Sequence, residues 1–278
     1  MTAAVPGFHP DWIVPDWPAP PEVRALCTTR AGGVSYPPYD SLNLGTHVGD
    51  APAQVQQNRE TLQRAIGHAP FFVEQVHGTD VLELGGLHAA ASGTQVADAA
   101  WTAQRLQVCT VMVADCLPVL LCSRDGTWVA AAHAGWRGLA GRPENGGKGI
   151  LEHVLESFGA VAQVEPARAA TDLIAWLGPC IGPQAFEVGD EVRAAFLAVP
   201  RSDADRQAIQ ACFSPQGGGK WLADLAGLAR LRLAALGVSA IYGNDGSLPW
   251  CTFSNPLRFF SHRRDGISGR MAACIWRD

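Results

Sequence analysis

Read by its apolar positions, the chain falls into short buried runs, turn-rich loops and a few amphipathic stretches. Val23 to Thr29 reads as a strand. The following AGGVSYPPYDSLNLG is broken by Gly32, Gly33, Pro37 and Pro38 and predicts a long irregular loop of the kind that lines a site. Asp50-Ala51-Pro52 opens a helix, because proline suits the first helical position, and Val55, Leu62, Ala65 and Ile66 recur at helical spacing up to Gly67. FFVEQV and VLEL predict strands separated by the turn His77-Gly78-Thr79-Asp80. VCTVMVA ends at Asp115-Cys116-Leu117-Pro118 and TWVAAA ends at His133-Ala134-Gly135-Trp136-Arg137-Gly138, and both read as buried strands. Each of these three places releases a histidine or cysteine where a β-run stops, which is where mixed αβ proteins assemble sites from separate segments.

Further on, Ile150, Leu151, Val154, Leu155 and Phe158 form a helical stripe, and a leucine-alanine segment from Leu222 to Leu236 predicts a second helix closed by Gly237. Short strands are expected at Ala240 to Tyr242 and Arg258 to Ser261, with MAACIW as the last run. No repeat or linker interrupts this order. The expectation is a mixed α/β (α+β) fold, one domain over 21–278 with mixed sheets flanked by helices, preceded by an extended arm over 1–20 whose prolines keep it out of a ladder.

Composition narrows the function. With 47% hydrophobic and 17% charged residues in 278, the chain has the makings of a large packed core. A net charge of −5 without long basic runs excludes a polymeric nucleic-acid partner. The N-terminus lacks the uninterrupted apolar run of a signal peptide or membrane span, so no membrane partner is expected and the cytoplasm is the expected compartment. Eight widely spaced cysteines then read as reduced, mostly inert core.

Catalytic zinc commonly takes three protein ligands and leaves one position open, and His77, Cys116 and His133 offer the right donors beside small or tight-turn residues. The same residues also suit a cysteine hydrolase, with Cys116 as nucleophile, His133 as base and Asp98 or Asp115 as orienter. The residues alone leave both open. Arg59, Arg137, Arg263 and Arg264 can neutralise an anion, Trp136 and Phe253 can stack on a base, and Asn43 can either hold a ribose hydroxyl or close an Asx turn. Neither H-x-E with P-C-x-x-C, nor H-E-x-x-H, a phosphate loop or a nucleophile elbow is present. Nor is any H-x-H pair, which excludes the common base deaminases, metalloproteases, P-loop enzymes, esterases and true multicopper chemistry.

Six motifs then carry a resemblance: SLNLG (41–45), EQVHG (74–78), ADCLP (114–118), AAHAGWRG (131–138), LGPCIGP (177–183) and FFSHRRDG (259–266). In this order, from about residue 24 to the C-terminus, the chain resembles the laccase-domain family, also called polyphenol oxidase or peptidoglycan editing factor proteins and regarded as purine nucleoside phosphorylases. The resemblance implies the YfiH-like fold and zinc on His77, Cys116 and His133, with copper as the substitute metal. It also implies phosphorolysis of adenosine, inosine and methylthioadenosine together with adenosine deamination. It places Asn43, Arg59, Arg137, Cys180 and Arg263 near the substrate pocket, makes purine nucleosides and phosphate the partners, and leaves a monomer or homodimer. The family's other name implies an alternative, a cysteine-type hydrolase editing muramyl amino acid precursors, and a metal-stabilised binding protein is a third reading. One departure stands out: LAGRPENGGKGILE follows AGWRG and is longer than the family's usual link, which would bring Arg142 or Lys148 toward a phosphate.

Overall fold

The apolar runs pair into three sheets. In the computed structural model, which describes residues 7–85, 95–142, 146–163, 165–198 and 202–278, β1 (Val23–Cys27) leads through the loop 28–51 into α1 (Pro52–Ile66). The helix starts at the expected proline and stops at Gly67, whose φ of 86° is the left-handed conformation glycine adopts without strain. β2 (Pro70–Phe72), β3 (Val81–Glu83), β4 (Ala99–Thr102), β5 (Val108–Val113), β6 (Leu117–Ser123) and β7 (Val129–Ala134) follow, then α2 (Trp136–Ala140), α3 (Ile150–Ala162) and α4 (Pro166–Ala170). The rest comprises β8 (Leu173–Leu177), β9 (Glu187–Gly189), α5 (Asp190–Leu197), α6 (Asp203–Ala211), β10 (Phe213–Gly217), β11 (Lys220–Ala223), α7 (Leu225–Leu236), β12 (Ala240–Gly243), α8 (His262–Asp265) and β13 (Met271–Arg277).

One sheet has the order β1-β13-β5-β2 and a second the order β12-β8-β6-β7-β4-β3, each mixing parallel and antiparallel pairs, while β10-β11-β9 form a small antiparallel third. The two larger sheets pack face to face. Alternate residues of one strand therefore enter different cores: Leu120 meets Cys109, Val111 and Ala273 between the sheets, whereas its neighbours Val119 and Leu121 face Leu151, Val154 and Leu228 of the helices. The outer face of the first sheet, through Phe72, Met112 and Cys274, is closed by Leu62 and Ile66 of α1. Helix, sheet, sheet and helix layers result, and strands covered on both sides explain why the central runs lack polar alternation.

Two sequence expectations change, and one strand is added. Leu117–Ser123 is a strand at the centre of the larger sheet, so Asp115-Cys116 forms the tight link between β5 and β6. Pro118, which has no N–H for the ladder, sits at its second residue. Arg258 to Ser261 is not a strand: Phe259 and Phe260 are apolar because they fill a small core with Val113 and Met271, and Ser261 caps α8 by accepting from the Arg264 N–H. The segment from Leu222 begins in β11, and helix α7 starts only after Asp224, whose carboxylate accepts from the Gly227 N–H. Of the N-terminal stretch, residues 1–6 lie outside the described residues. Beyond them, Trp12 is buried in the outer core and Ile13 exchanges both backbone bonds with Cys27 at 2.8 Å.

Candidate metal centre and pocket

Three chain segments deliver the donors. His77 lies on the turn after β2, Cys116 on the β5–β6 link and His133 inside β7, next to last in that strand rather than beyond its end. Gln75 fixes the first segment to the second: its Nε2 donates to the Met112 carbonyl at 2.8 Å and its Oε1 accepts from the Met112 N–H at 2.7 Å. His77 has φ 60° and Asp115 φ 96°, left-handed conformations that cost a non-glycine residue about 1–3 kcal/mol and are held here by surrounding bonds. For Asp115 these are the Thr252 hydroxyl at 2.6 Å and the Arg263 N–H at 2.7 Å, both donating to its carboxylate.

One ligand atom each from His77, Cys116 and His133 lies within 4.8 Å of the others, and among the described residues this is the one such group able to share an ion. Tetrahedral zinc, with bonds of about 2.0–2.1 Å to nitrogen and 2.3 Å to sulfur, sets neighbouring donors roughly 3.3–3.6 Å apart. Nε2 of His77 and Sγ of Cys116 stand 3.6 Å apart, and the two imidazoles meet edge-on at 4.8 Å between centroids. The donor set fits a metal.

Asp98, fully buried, organises two of the three. Its Oδ1 is 2.8 Å from His133 Nδ1, which assigns the proton there and leaves Nε2 for the ion. The same carboxylate accepts the N–H groups of Val76, His77 and Gly78 at 3.2, 2.9 and 2.6 Å and so shapes the turn that carries His77. Burial works to raise the Asp98 pKa, but His133 and these amides outweigh it and hold it below the usual range. Burial also acts to raise the Cys116 thiol, and the adjoining His133 and His77 rings overcome it, bringing it from 9.0 down to about 6. His133 moves the other way: burial opposes its charge, yet Cys116 and Asp98 lift it to about 9.

Around these residues opens a cavity of about 730 Å³. Of the arginines singled out by sequence, Arg59, Arg137 and Arg263 line it, with Arg137 stacked over Trp136 at 4.4 Å and Arg263 over Phe186 at 5.5 Å. Asn43 and Cys180 do not. Asn43 is fully buried and closes an Asx turn, its Oδ1 accepting from Gly45 and Arg270 and its Nδ2 donating to Asp50 and Gly45. Cys180 is buried against Asn244, its thiol pushed well above 9.0 chiefly by burial. Phe253 packs on the helical core, and Arg264 spends its donors on Asp265 and on the carbonyls of Thr252, Phe253 and Phe259. Neither Arg142 nor Lys148 lines the cavity; Lys148 makes an exposed pair with Glu156 at 2.6 Å, while 143–145 of the long link lie outside the described residues. Sequence reasoning missed His47, His262 and Arg270, all lining the cavity. The last of these carried no signal beyond a position just before the final strand.

Residues 24–278 match the family model described as multi-copper polyphenol oxidoreductase laccase. The Escherichia coli (strain K12) protein named purine nucleoside phosphorylase YfiH is 50% identical over 95% of this chain and 98% of its own. A Pseudomonas aeruginosa protein, also named a purine nucleoside phosphorylase, is 47% identical over the same shares. Among solved structures, a Neisseria meningitidis protein superposes with a TM-score of 0.81 at 45% identity, over 96% of this chain and 99% of its own. YlmD from Geobacillus stearothermophilus gives 0.78 at 32%, over 92% of each chain.

Proposed function

The chain belongs to the family described as multi-copper polyphenol oxidoreductase laccase, and from that premise we propose that it is a zinc-dependent purine nucleoside phosphorylase acting on adenosine, inosine and methylthioadenosine, with adenosine deamination at the same site. The observation that carries this reading is the three-ligand cluster on the wall of a cavity that combines aromatic side chains with arginines. The family description names copper, but a multicopper centre needs many histidines, and among the described residues one cluster of three donors exists. The names of the Escherichia coli and Pseudomonas aeruginosa relatives support the same activity.

In phosphorolysis a phosphate oxygen bonds to C1′ of the ribose as the bond from C1′ to the purine breaks, and the electron pair departs with the purine, which takes up a proton. Zinc held by His77, Cys116 and His133 would supply Lewis-acid polarisation and the activation of water that deamination needs. The protein's share is positioning: Trp136 and Phe186 give the cavity an aromatic wall for a purine, Arg59, Arg137 and Arg263 offset anionic charge, and Asp98 keeps the His133 proton on Nδ1.

A second reading has its own support. Asp98, His133 and the lowered Cys116 thiol also line up as orienter, base and nucleophile of a hydrolase acting on a muramyl amino acid precursor. Metal-quantified protein incubated with adenosine, with and without phosphate, separates these readings. Adenine formed only with phosphate, and lost in His77→Ala and Cys116→Ala, supports the phosphorylase. Inosine formed regardless of phosphate makes deamination the main chemistry. No nucleoside product, with cleavage of the muramyl substrate, overturns the proposal. Ligand binding without turnover of either substrate overturns it too and leaves a metal-stabilised binding protein.

A further inference from the structure

The cavity is built from two different cores. Phe72 and Met112 belong to the outer core under α1, whereas Ile181, Phe186 and Leu225, with Trp136 packed on them, belong to the helical core. Cationic groups accompany both walls, but they differ in kind. Arg137 and Arg263 are exposed at the helical wall. Arg59 and Arg270 at the other wall are half-buried, and among the described residues no carboxylate lies within 4.0 Å of either guanidinium.

Both guanidinium groups are anchored through part of their donor set. Arg59 Nε donates to the Leu44 carbonyl at 2.9 Å, and its plane covers Phe72 at 3.9 Å. Arg270 Nη1 donates to the Ser268 and Gly269 carbonyls at 2.9 and 3.1 Å. Its backbone N–H is held by Asn43 Oδ1 at 2.9 Å, and its stem lies so close to Gly45 that a Cβ there would sit 2.8 Å from Arg270 Cγ. The SLNLG motif is thus the clamp that aims Arg270. His47 lines the same wall, and burial together with the field of Arg270 and Arg59 lowers its pKa; a neutral imidazole donates one N–H and accepts at the other nitrogen. Burying positive charge without a partner is costly, and such a site is completed by an anion.

We propose that Arg59, Arg270 and His47 form the inorganic phosphate subsite, with Asn43 and Gly45 as positioning residues, and that the Trp136 and Phe186 wall takes the nucleoside. The assignment rests on the phosphorylase reading and narrows it, because it removes Arg137 and Arg263 from phosphate and adds Arg270. It also explains how a residue outside the pocket, Asn43, serves the site. A tetrahedral dianion matches two planar forks better than the nucleoside does, since a neutral nucleoside gains nothing from two fixed charges.

The test is a split of kinetic constants. Arg270→Gln and Arg59→Gln should raise KM for phosphate about 10- to 100-fold, the loss expected for a hydrogen bond to a charged group, with KM for the nucleoside within about twofold. Arg137→Gln should do the reverse. Asn43→Ala should shift phosphate KM in the same direction as Arg270→Gln. If Arg270→Gln melts early, His47→Gln on the exposed side and Arg270→Lys give the same comparison. Calorimetric titration of inorganic phosphate into the wild type and Arg270→Gln reads the subsite without turnover. Wild type that forms no adenine with phosphate refutes the phosphorylase reading. Wild type that does, while Arg270→Gln leaves phosphate binding and KM unmoved or weakens the nucleoside instead, refutes the subsite alone.

Discussion

Gly135 joins β7 to α2 and offers a clean perturbation of the metal centre. Its φ of −66° and ψ of 159° suit any residue, so Gly135→Ala adds one methyl without backbone strain. That Cβ would sit 2.8 Å from His77 Cδ2 and 3.1 Å from Cys116 Sγ. Carbon contacts rest at about 3.5–4.0 Å, so the imidazole must retreat by roughly 0.7 Å or more. Metal–donor distances are held to about ±0.2 Å. Zinc affinity should therefore fall at least about 10- to 100-fold, the range for disturbing a ligand's support, or about 1.4–2.8 kcal/mol. Zinc competition against a chromophoric chelator measures the loss, and melting of the metal-free protein separates it from stability. Gly67→Ala supplies the contrast. Nothing lies within 4 Å of that Cβ, but φ is 86°, so this variant should lose about 1 kcal/mol of stability and no zinc affinity. Zinc binding of wild-type strength in a normally folded Gly135→Ala protein would refute the three-ligand geometry.

Asp98→Asn turns an acceptor toward three backbone N–H groups into a partial donor. It should cost about 2–4 kcal/mol in chemical denaturation and weaken zinc about 10- to 100-fold. Because the Asp98 pKa is depressed in the folded state, its stabilisation is present above the unfolded value of about 3.9 and lost as pH falls through the folded one, so the gap between the two proteins should close below about pH 4. In metal-free protein, iodoacetamide should label Cys116 with a midpoint near pH 6, reacting above it and not below. A midpoint near 8.5, the value of a free thiol, would show that His133 and His77 do not act on it. Leu120→Ala empties a fully buried position between the sheets and should cost about 2–5 kcal/mol by urea unfolding without changing bound zinc.

Local signals in the chain were enough to bound α1, because Pro52 and Gly67 act on their own backbone, and to identify the last strand and the buried runs of β5 and β7. They also nominated His77, Cys116 and His133, since donor chemistry and flanking small residues are properties of the sequence. Everything that depends on a partner across space was left to the tertiary structure. Phe259 and Phe260 look like strand residues until a core claims them, and nothing local marks Leu117–Ser123 as a strand until two neighbouring strands take its backbone bonds. Asp98, 21 residues from His77 and 35 from His133, becomes the organiser of both only when β4 and β7 pair. Asn43 and Arg270, 227 residues apart, meet because β13 returns beside β1. Residue types and their immediate turns decided which atoms can bind a metal or an anion. The closing of chain separations from 21 to 227 residues, driven by burying both faces of two sheets, decided where those atoms meet.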